Sequence, residues 1–222
     1  MRISKKTPSS WDTFDIKNFI APGHGPCLDI GCGPGAKQDI EGLGYNYIGI
    51  DIVNTSGTSV IGKAERLPFA PNIFNLVVAA SSFEHFPDPW QAAREIARVL
   101  KKDGYVVVSA SFLEPYHARS YFHMTHIGIA KLFESAGLVI DSIEPLEWTG
   151  PEALAQALFQ FAPARWLTYV ITRSTLFMRR LVCLFLLRWY KNESQKERIK
   201  EFLEEERFRF AAGIKVKAHK TI

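Results

Sequence analysis

Cysteine is scarce in this sequence, and its first residues carry no long apolar run. The three cysteines among 222 residues, Cys27, Cys32 and Cys183, cannot all pair and show no CxxC spacing. This argues against a disulfide framework and against a zinc or redox site. Residues 1–11 are basic and polar, whereas a secretory signal needs an apolar segment. We therefore expect a cytoplasmic protein that is not exported.

Low-complexity segments and internal repeats are also absent, so nothing indicates a fibrous or disordered chain. With 47% hydrophobic and 23% charged residues, the composition is that of an ordinary globular protein. A chain of this length can bury most of its apolar surface in one core. We therefore expect residues 1–222 to form a single domain.

Acidic residues are missing between positions 153 and 192. The stretch contributes +6 to a total net charge of +4, so the rest of the chain sums to −2. Any attraction for anions is therefore concentrated in this part of the sequence. Its basic residues are Arg165, Arg173, Arg179, Arg180, Arg188 and Lys191.

Apolar β-branched runs alternate with amphipathic segments over the first two thirds of the chain. This alternation predicts strand and helix units that build a mostly parallel sheet, the doubly wound α/β class. Several runs are almost unbroken, as expected for strands covered on both faces. The predicted strands are residues 26–30, 47–52, 59–61, 75–80, 105–110 and 138–143.

The clearest helix follows Asp88, which can cap it, and Pro89 suits the first turn. Lys101 and Lys102 would then favour the negative end of the helix dipole, and Gly104 would end the helix. A second helix is predicted from about residue 125 to 137, with a threonine as its cap.

The pattern changes after residue 150. Residues 151–161 predict a short helix, 164–190 one or two very apolar helices, and 191–208 a charged helix with opposite charges four residues apart. Residues 213–220 alternate apolar and polar side chains, which predicts an edge strand with one wet face. The block 151–208 is therefore expected to be a helical insertion before the last strand.

A glycine-rich turn follows the first predicted strand. Gly31 and Gly33 allow positive φ and a close approach of the backbone to a ligand. The spacing alone also fits the nucleotide site of dehydrogenases. Asp29, two residues before the first glycine, would repel a pyrophosphate but attract the ammonium group of an amino-acid-bearing cofactor. Asp51, at the end of the second strand, can accept both hydroxyls of a ribose, which fits either cofactor.

Three further segments, at residues 62–69, 74–78 and 83–90, follow the glycine turn in order. Together the four motifs closely resemble small-molecule S-adenosylmethionine-dependent methyltransferases of class I, related to the ubiquinone and menaquinone methylating enzymes. The resemblance covers roughly residues 11–143 and the last strand. It implies a Rossmann-like, seven-stranded sheet with an antiparallel last strand, and S-adenosyl-L-methionine as cofactor.

The resemblance also implies roles for individual residues. The glycine loop would hold the methionine part of the cofactor, Asp51 the ribose, and Ile52 the adenine ring, whose edge would face the Ala64 amide. Many relatives have Asp where this chain has Lys63 and Asn75. Lysine cannot accept from the adenine amino group, so two alternatives are open: Glu65 substitutes, or this contact is lost. The cofactor-binding residues implied are Asp29, Gly31, Gly33, Gly35, Asp51, Ile52, Ala64, Glu65 and Ser81.

His85 is the candidate catalytic residue. Methyl transfer from a sulfonium mainly needs the acceptor held close in a dry pocket, but a hydroxyl acceptor would gain from a base. His85 follows the fourth predicted strand, where enzymes of this family place acceptors. The competing interpretation is that Glu84 and His85 only shape the loop.

The segment after the fifth predicted strand contains three histidines, which could suggest a metal site, and three aromatic residues, which could wall a pocket. His117, His123 and His126 lack a carboxylate or cysteine at ligand spacing, so we expect no metal. The aromatic residues in the same loop are expected to wall the acceptor site instead. They are Tyr116, Tyr121 and Phe122.

Residues 181–187 are apolar all round but too few to span a bilayer, and a longer segment would bury arginines. Three interpretations remain open for this insertion: a buried lid over the acceptor site, a homodimer surface, and an interfacial helix on anionic lipid. Aromatic residues such as Trp189 suit the headgroup level of a membrane. In the third case the protein would be peripheral at a membrane.

The main function hypothesis is an enzyme that methylates a small molecule, a glycan or a lipid-linked acceptor. The alternative from another class is a non-catalytic S-adenosylmethionine-binding module that acts through its helical insertion. A nicotinamide dehydrogenase is disfavoured by Asp29. Nucleic acid is not an expected partner, because the arginines alternate with bulky aliphatic residues and do not line a polar groove.

Overall fold

The computed structural model describes residues 20–34, 36–114, 119–146, 165–189, 192–209, 211 and 213–221. Within them the chain forms a seven-stranded sheet. Its strands are β1 Gly25–Ile30, β2 Tyr45–Asp51, β3 Val60–Ile61, β4 Phe74–Ala79, β5 Leu100–Ser111, β6 Leu138–Pro145 and β7 Gly213–Lys220. Their order across the sheet is β3-β2-β1-β4-β5-β7-β6.

All neighbouring pairs from β3 to β5 are parallel, whereas β7 runs antiparallel to both β5 and β6. The doubly wound α/β sheet with an antiparallel last strand is therefore confirmed. From β1 the chain first adds β2 and β3 on one side of β1, and it then crosses over to add β4 on the other side of β1. Open α/β sheets bind ligands at such a switch point, beyond the carboxyl ends of the strands.

Five helices accompany the strands in the described part of the chain: α1 Lys37–Gly42, α2 Pro89–Val99, α3 His126–Ser135, α4 Arg165–Trp189 and α5 Glu193–Arg209. The Asp88 carboxylate caps α2 by accepting from the Gln91 amide at 2.9 Å. The Thr125 hydroxyl caps α3 by accepting from the Gly128 amide at 3.0 Å. Both predicted caps are thus confirmed.

Alternating side chains of the central strands feed two separate cores, one on each face of the sheet. Leu28, Val77 and Val106 point to the face covered by α2 and α3, whereas Cys27 and Leu76 point to the face covered by α1. All five are completely buried. Two buried faces explain why the strands appear in the sequence as almost unbroken apolar runs.

The predicted edge position of the last strand is wrong. β7 pairs with β5 on one side and β6 on the other, so neither of its edges is free. The alternation itself is real, because Ile214 and Val216 are buried while Lys215 and Lys217 are half-buried. Alternating apolar and polar residues indicate that one face of the strand is partly exposed to solvent. They do not indicate whether the strand pairs with a neighbour on each side.

The predicted end of α2 is also wrong. The helix stops at Val99, and Lys101, Lys102 and Gly104 belong to β5. Leu100 is extended, completely buried and paired with Phe74 of β4, so burial of an apolar side chain in the sheet ends the helix before the lysines.

Helices α4 and α5 lie between β6 and β7 along the chain, at the carboxyl edge of the parallel strands. The Leu146 amide donates to the Gly213 carbonyl at 2.8 Å, which brings the two ends of the insertion together. The predicted apolar and charged helices are confirmed as α4 and α5, whereas the predicted helix at 151–161 lies outside the described residues. The insertion bounds 151–208 stay a prediction. No helix in the described ranges is long and apolar enough to cross a membrane.

An arginine–glutamate pair on α2 fixes the loop that follows β3. The Glu95 carboxylate accepts from the Leu67 amide at 2.8 Å. Arg98 donates to the Phe69 and Leu67 carbonyls at 2.7 and 3.0 Å and to both Glu95 oxygens at 2.7 Å. One guanidinium thus satisfies two loop carbonyls, a geometry that lysine cannot reproduce.

We predict that Arg98→Lys lowers the free energy of unfolding by about 1–2 kcal/mol, because the forked hydrogen bonds to the loop are lost in a partly exposed site. Urea denaturation measures the change. Arg94→Lys is the matched control, since Arg94 is exposed and donates to Gln91 on the same helix; its effect should stay within about 0.5 kcal/mol. Equal effects of the two substitutions would contradict a stabilising role for the hydrogen bonds from Arg98 to the loop.

Candidate functional site

A cleft of about 710 Å³ opens at the carboxyl edge of the sheet, where β1, β2 and β4 end. Its volume is within the range of about 300–1,000 Å³ that small-molecule sites occupy. The cleft lies at the topological switch point between β1 and β4. Among the predicted site residues, its lining includes Gly31, Asp51, Ile52, Ala64, Glu65, Ser81 and His85.

The glycine turn after β1 requires glycine at its first bend. Gly31 has φ +66°, and a Cβ built on it would come within 2.6 Å of the Ser82 hydroxyl oxygen. Gly33 also has a positive φ, +48°. Any side chain at Gly31 would therefore be strained and would collide with the β4 side of the cleft. Gly35 lies outside the described residues, so its role stays a prediction.

Asp51 joins the turn after β1 to the loop after β2. One carboxylate oxygen accepts from the Gly33 amide at 3.0 Å, and the other accepts from the Val53 amide at 3.1 Å. The carboxylate lines the cleft and is only half-buried. Each oxygen retains a lone pair, so the group can also accept two hydroxyls of a bound ribose.

Asp29 lies behind the glycine turn and is 1% exposed. The Tyr47 hydroxyl donates to its carboxylate at 3.1 Å, and Asp29 does not belong to the cleft lining. Burial raises the pKa of Asp29 to about 7, the Tyr47 hydrogen bond opposes the rise, and repulsion from Asp51 adds to it. Direct contact between Asp29 and a cofactor ammonium stays a prediction; the carboxyl group lies behind the turn and outside the cleft lining.

The end of the cleft beyond β2 and β3, where the sequence predicts the adenine ring, combines an apolar platform with polar edges. Ile52 is 70% exposed although it is large and apolar, which suits a residue that a flat ring would cover. Ala64, Lys63 and Glu65 line the same end. Asn75 lies at the other end of β4, where its side-chain oxygen accepts from Lys101 at 3.0 Å. Its difference from the family pattern therefore does not concern the adenine site.

The opposite end of the cleft is formed by residues after β4 and β5. Ser81 lines it with φ +47°, a strained conformation for serine, and its amide donates to the Ser109 hydroxyl at 2.8 Å. His85, half-buried at the end of a short 3₁₀ turn, and Tyr121 complete the wall. Strained backbone held by hydrogen bonds is typical of sites where a chain must present groups to a ligand.

Arg119 is a lining residue that sequence reasoning missed. It is exposed, has φ +61°, and lines the cleft together with Tyr121. Tyr47, the partner of Asp29, was missed as well, although the pairing of β1 with β2 places it near that residue. An isolated arginine in a loop gives no sequence signal, whereas strand register could have identified the tyrosine.

The loop after β5 contains the aromatic residues and histidines singled out in the sequence, and its aromatic residues were expected to wall the acceptor site. Phe122 packs edge-on against Trp90 with ring centroids 5.9 Å apart and does not line the cleft. His123 contacts the Ser120 hydroxyl at 3.1 Å. Tyr116 and His117 lie outside the described residues. Within the described ranges no three potential metal ligands cluster.

The residues present fit S-adenosylmethionine. A turn that only glycine can form, a carboxylate with two spare lone pairs and an exposed apolar platform lie along one continuous cleft. No described residue of α4 or α5 lines this cleft, and α4 exposes its apolar side chains, which argues against a buried lid.

We predict that replacing Asp29 by asparagine flattens the pH dependence of stability. Because folding raises the pKa of Asp29 from its ordinary value of 3.8 to about 7, the folded chain holds a proton that the unfolded chain releases. The stabilisation that this proton gives the folded chain is fully present below pH 3.8 and is lost as pH rises through about 7. The wild-type free energy of unfolding should therefore fall across this window by up to about 1.4 kcal/mol per pH unit more than that of Asp29→Asn.

Urea denaturation at several pH values between about 4 and 7 measures this difference, in which other titrating groups cancel. Asp103→Asn is the control, since Asp103 is exposed at the far end of β5, and it should keep the wild-type slope. Parallel slopes for Asp29→Asn and wild type would contradict the account of a buried, protonated carboxyl group.

Comparison with known proteins agrees with this geometry. Residues 28–108 match the family model described as a methyltransferase domain. A Mycobacterium tuberculosis protein named an uncharacterized methyltransferase is 27% identical over 168 residues, a match covering 63% of this chain and 66% of the relative. The match thus spans just under two thirds of that relative's length. A specific relation to ubiquinone-methylating enzymes stays a prediction.

Solved structures share the fold. The cyclase SpnF has a TM-score of 0.56 and 18% identity, covering 90% of this chain and 76% of its own. Phosphoethanolamine N-methyltransferase 2 of Haemonchus contortus, in complex with phosphomonomethylethanolamine and S-adenosylhomocysteine, has a TM-score of 0.54 and 18% identity, covering 93% of this chain and 51% of its own. The matched domain and the shared fold thus make this chain similar to the class I S-adenosylmethionine-dependent methyltransferases.

Proposed function

We propose that this protein transfers a methyl group from S-adenosylmethionine to a small acceptor molecule held at the Ser81, His85 and Tyr121 end of the cleft. One observation carries the proposal. A single cleft joins the Asp51 and Ile52 end, which suits a nucleoside, to a second end lined by polar and aromatic side chains. Two ligands can therefore lie end to end in one cavity, which a group transfer requires.

Different residues of the cleft bind different parts of the cofactor and the acceptor. The bound cofactor supplies an electrophilic methyl group on a sulfonium. Asp51 and the glycine turn fix the ribose and the amino-acid part, while Phe86 and Pro87 add apolar surface to the cleft lining. Tyr121 is 59% exposed, so it offers a ring face against which an acceptor can pack.

Arg119 indicates an acceptor with an anionic group. Its guanidinium lies at the acceptor end, and no ion pair holds it among the described residues. Arginine binds carboxylates and phosphates through two parallel hydrogen bonds. The Haemonchus enzyme is described with a phosphate-bearing acceptor, which supports the same acceptor chemistry. A small molecule, a glycan or a lipid-linked acceptor can carry such a group.

His85 is the group proposed to orient the acceptor or to take its proton. It is half-buried, it lines the cleft, and its amide donates to the Ser82 carbonyl at 2.9 Å. That backbone bond sets its position at the end of the turn. A hydroxyl acceptor would need a base here, whereas an amine would use the imidazole for orientation alone.

A non-catalytic S-adenosylmethionine-binding module is the second candidate. The observation that favours it is the exposed apolar side of α4, which lies outside the cleft lining. The fold is also similar to that of SpnF, which is named a cyclase. The shared fold thus serves proteins with different reactions, and it does not establish transfer. The exposed side of α4 would then be the functional surface, either toward a membrane or toward a second copy of the chain.

We predict that the protein transfers label from methyl-labelled S-adenosylmethionine to a component of cell extract, and that His85→Gln slows this transfer by roughly 100-fold. The Kd for S-adenosylhomocysteine should stay within about twofold of wild type, since His85 acts at the acceptor end. His24→Gln, an exposed histidine before β1, should leave both quantities unchanged.

The outcomes separate the two candidates. Binding of S-adenosylhomocysteine without any labelled product would favour the binding module. A His85→Gln variant that transfers methyl groups at the wild-type rate, with the same pH profile, would show that the histidine only shapes the loop.

A further inference from the structure

One side of α4 exposes large apolar side chains along most of the helix. At about 100° per residue, the exposed positions between 170 and 189 fall within an arc of about 160°. Cys183, Leu186 and Leu187 lie outside this arc and are half-buried, and α4 packs on α5. We call the exposed side the α4 face, formed by Val170, Phe177, Met178, Leu181, Val182, Leu184, Phe185 and Trp189.

The α4 face is too apolar for an ordinary solvent-exposed surface. Phe177, Phe185 and Trp189 are 62%, 61% and 72% exposed, and the Phe185 and Trp189 rings stack with centroids 5.9 Å apart. Scattered single apolar residues need no explanation, but a contiguous patch beyond about 600 Å² marks an interaction site. The eight side chains of the α4 face are 42% to 72% exposed and share one side of one helix, so they form a patch and are not scattered single residues.

The charge of the same segment identifies the occupant. Residues 153–192 contain six basic residues and no acidic one. Arg188 is exposed within the arc of the α4 face. An anionic lipid surface offers both partners that this combination needs, because negative headgroups complement the arginines and the acyl boundary takes up the apolar side chains.

A second copy of the chain is a poorer occupant. A two-fold symmetric contact places a surface against itself, so two basic segments without acidic residues would be brought together. Trp189, at the end of α4, also has the amphipathic ring that is enriched at the headgroup level of membranes.

The position of α4 in the fold connects this surface to the cleft. Strand β6 is parallel to β4 and β5, so its end at Pro145 lies at the same sheet edge as the cleft. Strand β7 starts at that edge, and the Leu146–Gly213 hydrogen bond anchors both ends of the insertion there. The insertion that carries α4 therefore leaves and rejoins the sheet at the edge where the cleft opens.

We propose that the α4 face docks onto an anionic lipid bilayer, with the helix lying in the headgroup region. Resting on the proposed function, the acceptor is then an anionic amphiphile drawn from that bilayer, which Arg119 receives at the cleft. The docking itself needs no catalysis and is tested separately.

Co-sedimentation of the full chain with vesicles tests the docking. The chain should bind vesicles of phosphatidylcholine with about one third phosphatidylglycerol at least tenfold more strongly than pure phosphatidylcholine, and added salt should weaken the binding. The double variant Phe185→Ser with Trp189→Ser should lose about tenfold or more in partitioning. Arg188→Gln should lose about fivefold, on anionic vesicles only.

Ile127→Ser is the matched control, because Ile127 is 70% exposed on α3 and lies outside the α4 face. It should bind vesicles like wild type. All variants should bind S-adenosylhomocysteine like wild type, which shows that they are folded. Equal binding to both vesicle types, or no loss in the double variant, would overturn the docking proposal.

Two further outcomes keep the proposals distinct. A wild-type dimer that becomes monomeric in the double variant and never binds vesicles would overturn docking in favour of a dimer. Vesicle binding by a chain that shows no methyl transfer, with or without vesicles, would support docking and remove the proposed function.

Discussion

The two backbone amides held by the Asp51 carboxylate are the interaction on which the site depends. Gly33 belongs to the turn after β1, and Val53 to the loop after β2, so one side chain joins two separate chain segments at the sheet edge. Charge-assisted hydrogen bonds of this kind are among the stronger ones in proteins. One carboxylate thus holds together the two segments that line this end of the cleft, and a bound ligand would add to the same network.

Much of this site could be predicted from the sequence because its signals are local. A glycine turn after a strand and an acid at the end of the next strand need only a few neighbouring residues to be recognised. The burial of Asp29 could not be predicted in this way, since it depends on Tyr47 from an adjacent strand. The same holds for Arg98, whose loop partners lie about 30 residues away in sequence.

The fold shows the same division between local and long-range information. Helix caps at Asp88 and Thr125 were predictable because cap and amide are three residues apart. The inner position of β7 was not, since strand order depends on pairing between distant segments. Leu100 illustrates the competition: helical spacing includes it in α2, but pairing with β4 places it in the sheet.

Calorimetric titration with S-adenosylhomocysteine tests the central role of Asp51 most directly. In Asp51→Asn, an amide group replaces one acceptor and faces a backbone donor, so affinity should fall by roughly 10- to 100-fold. Asp103→Asn removes the same charge at an exposed site at the other end of β5 and should leave affinity unchanged. No detectable binding to the wild-type chain, or equal affinity in wild type and Asp51→Asn, would contradict the account.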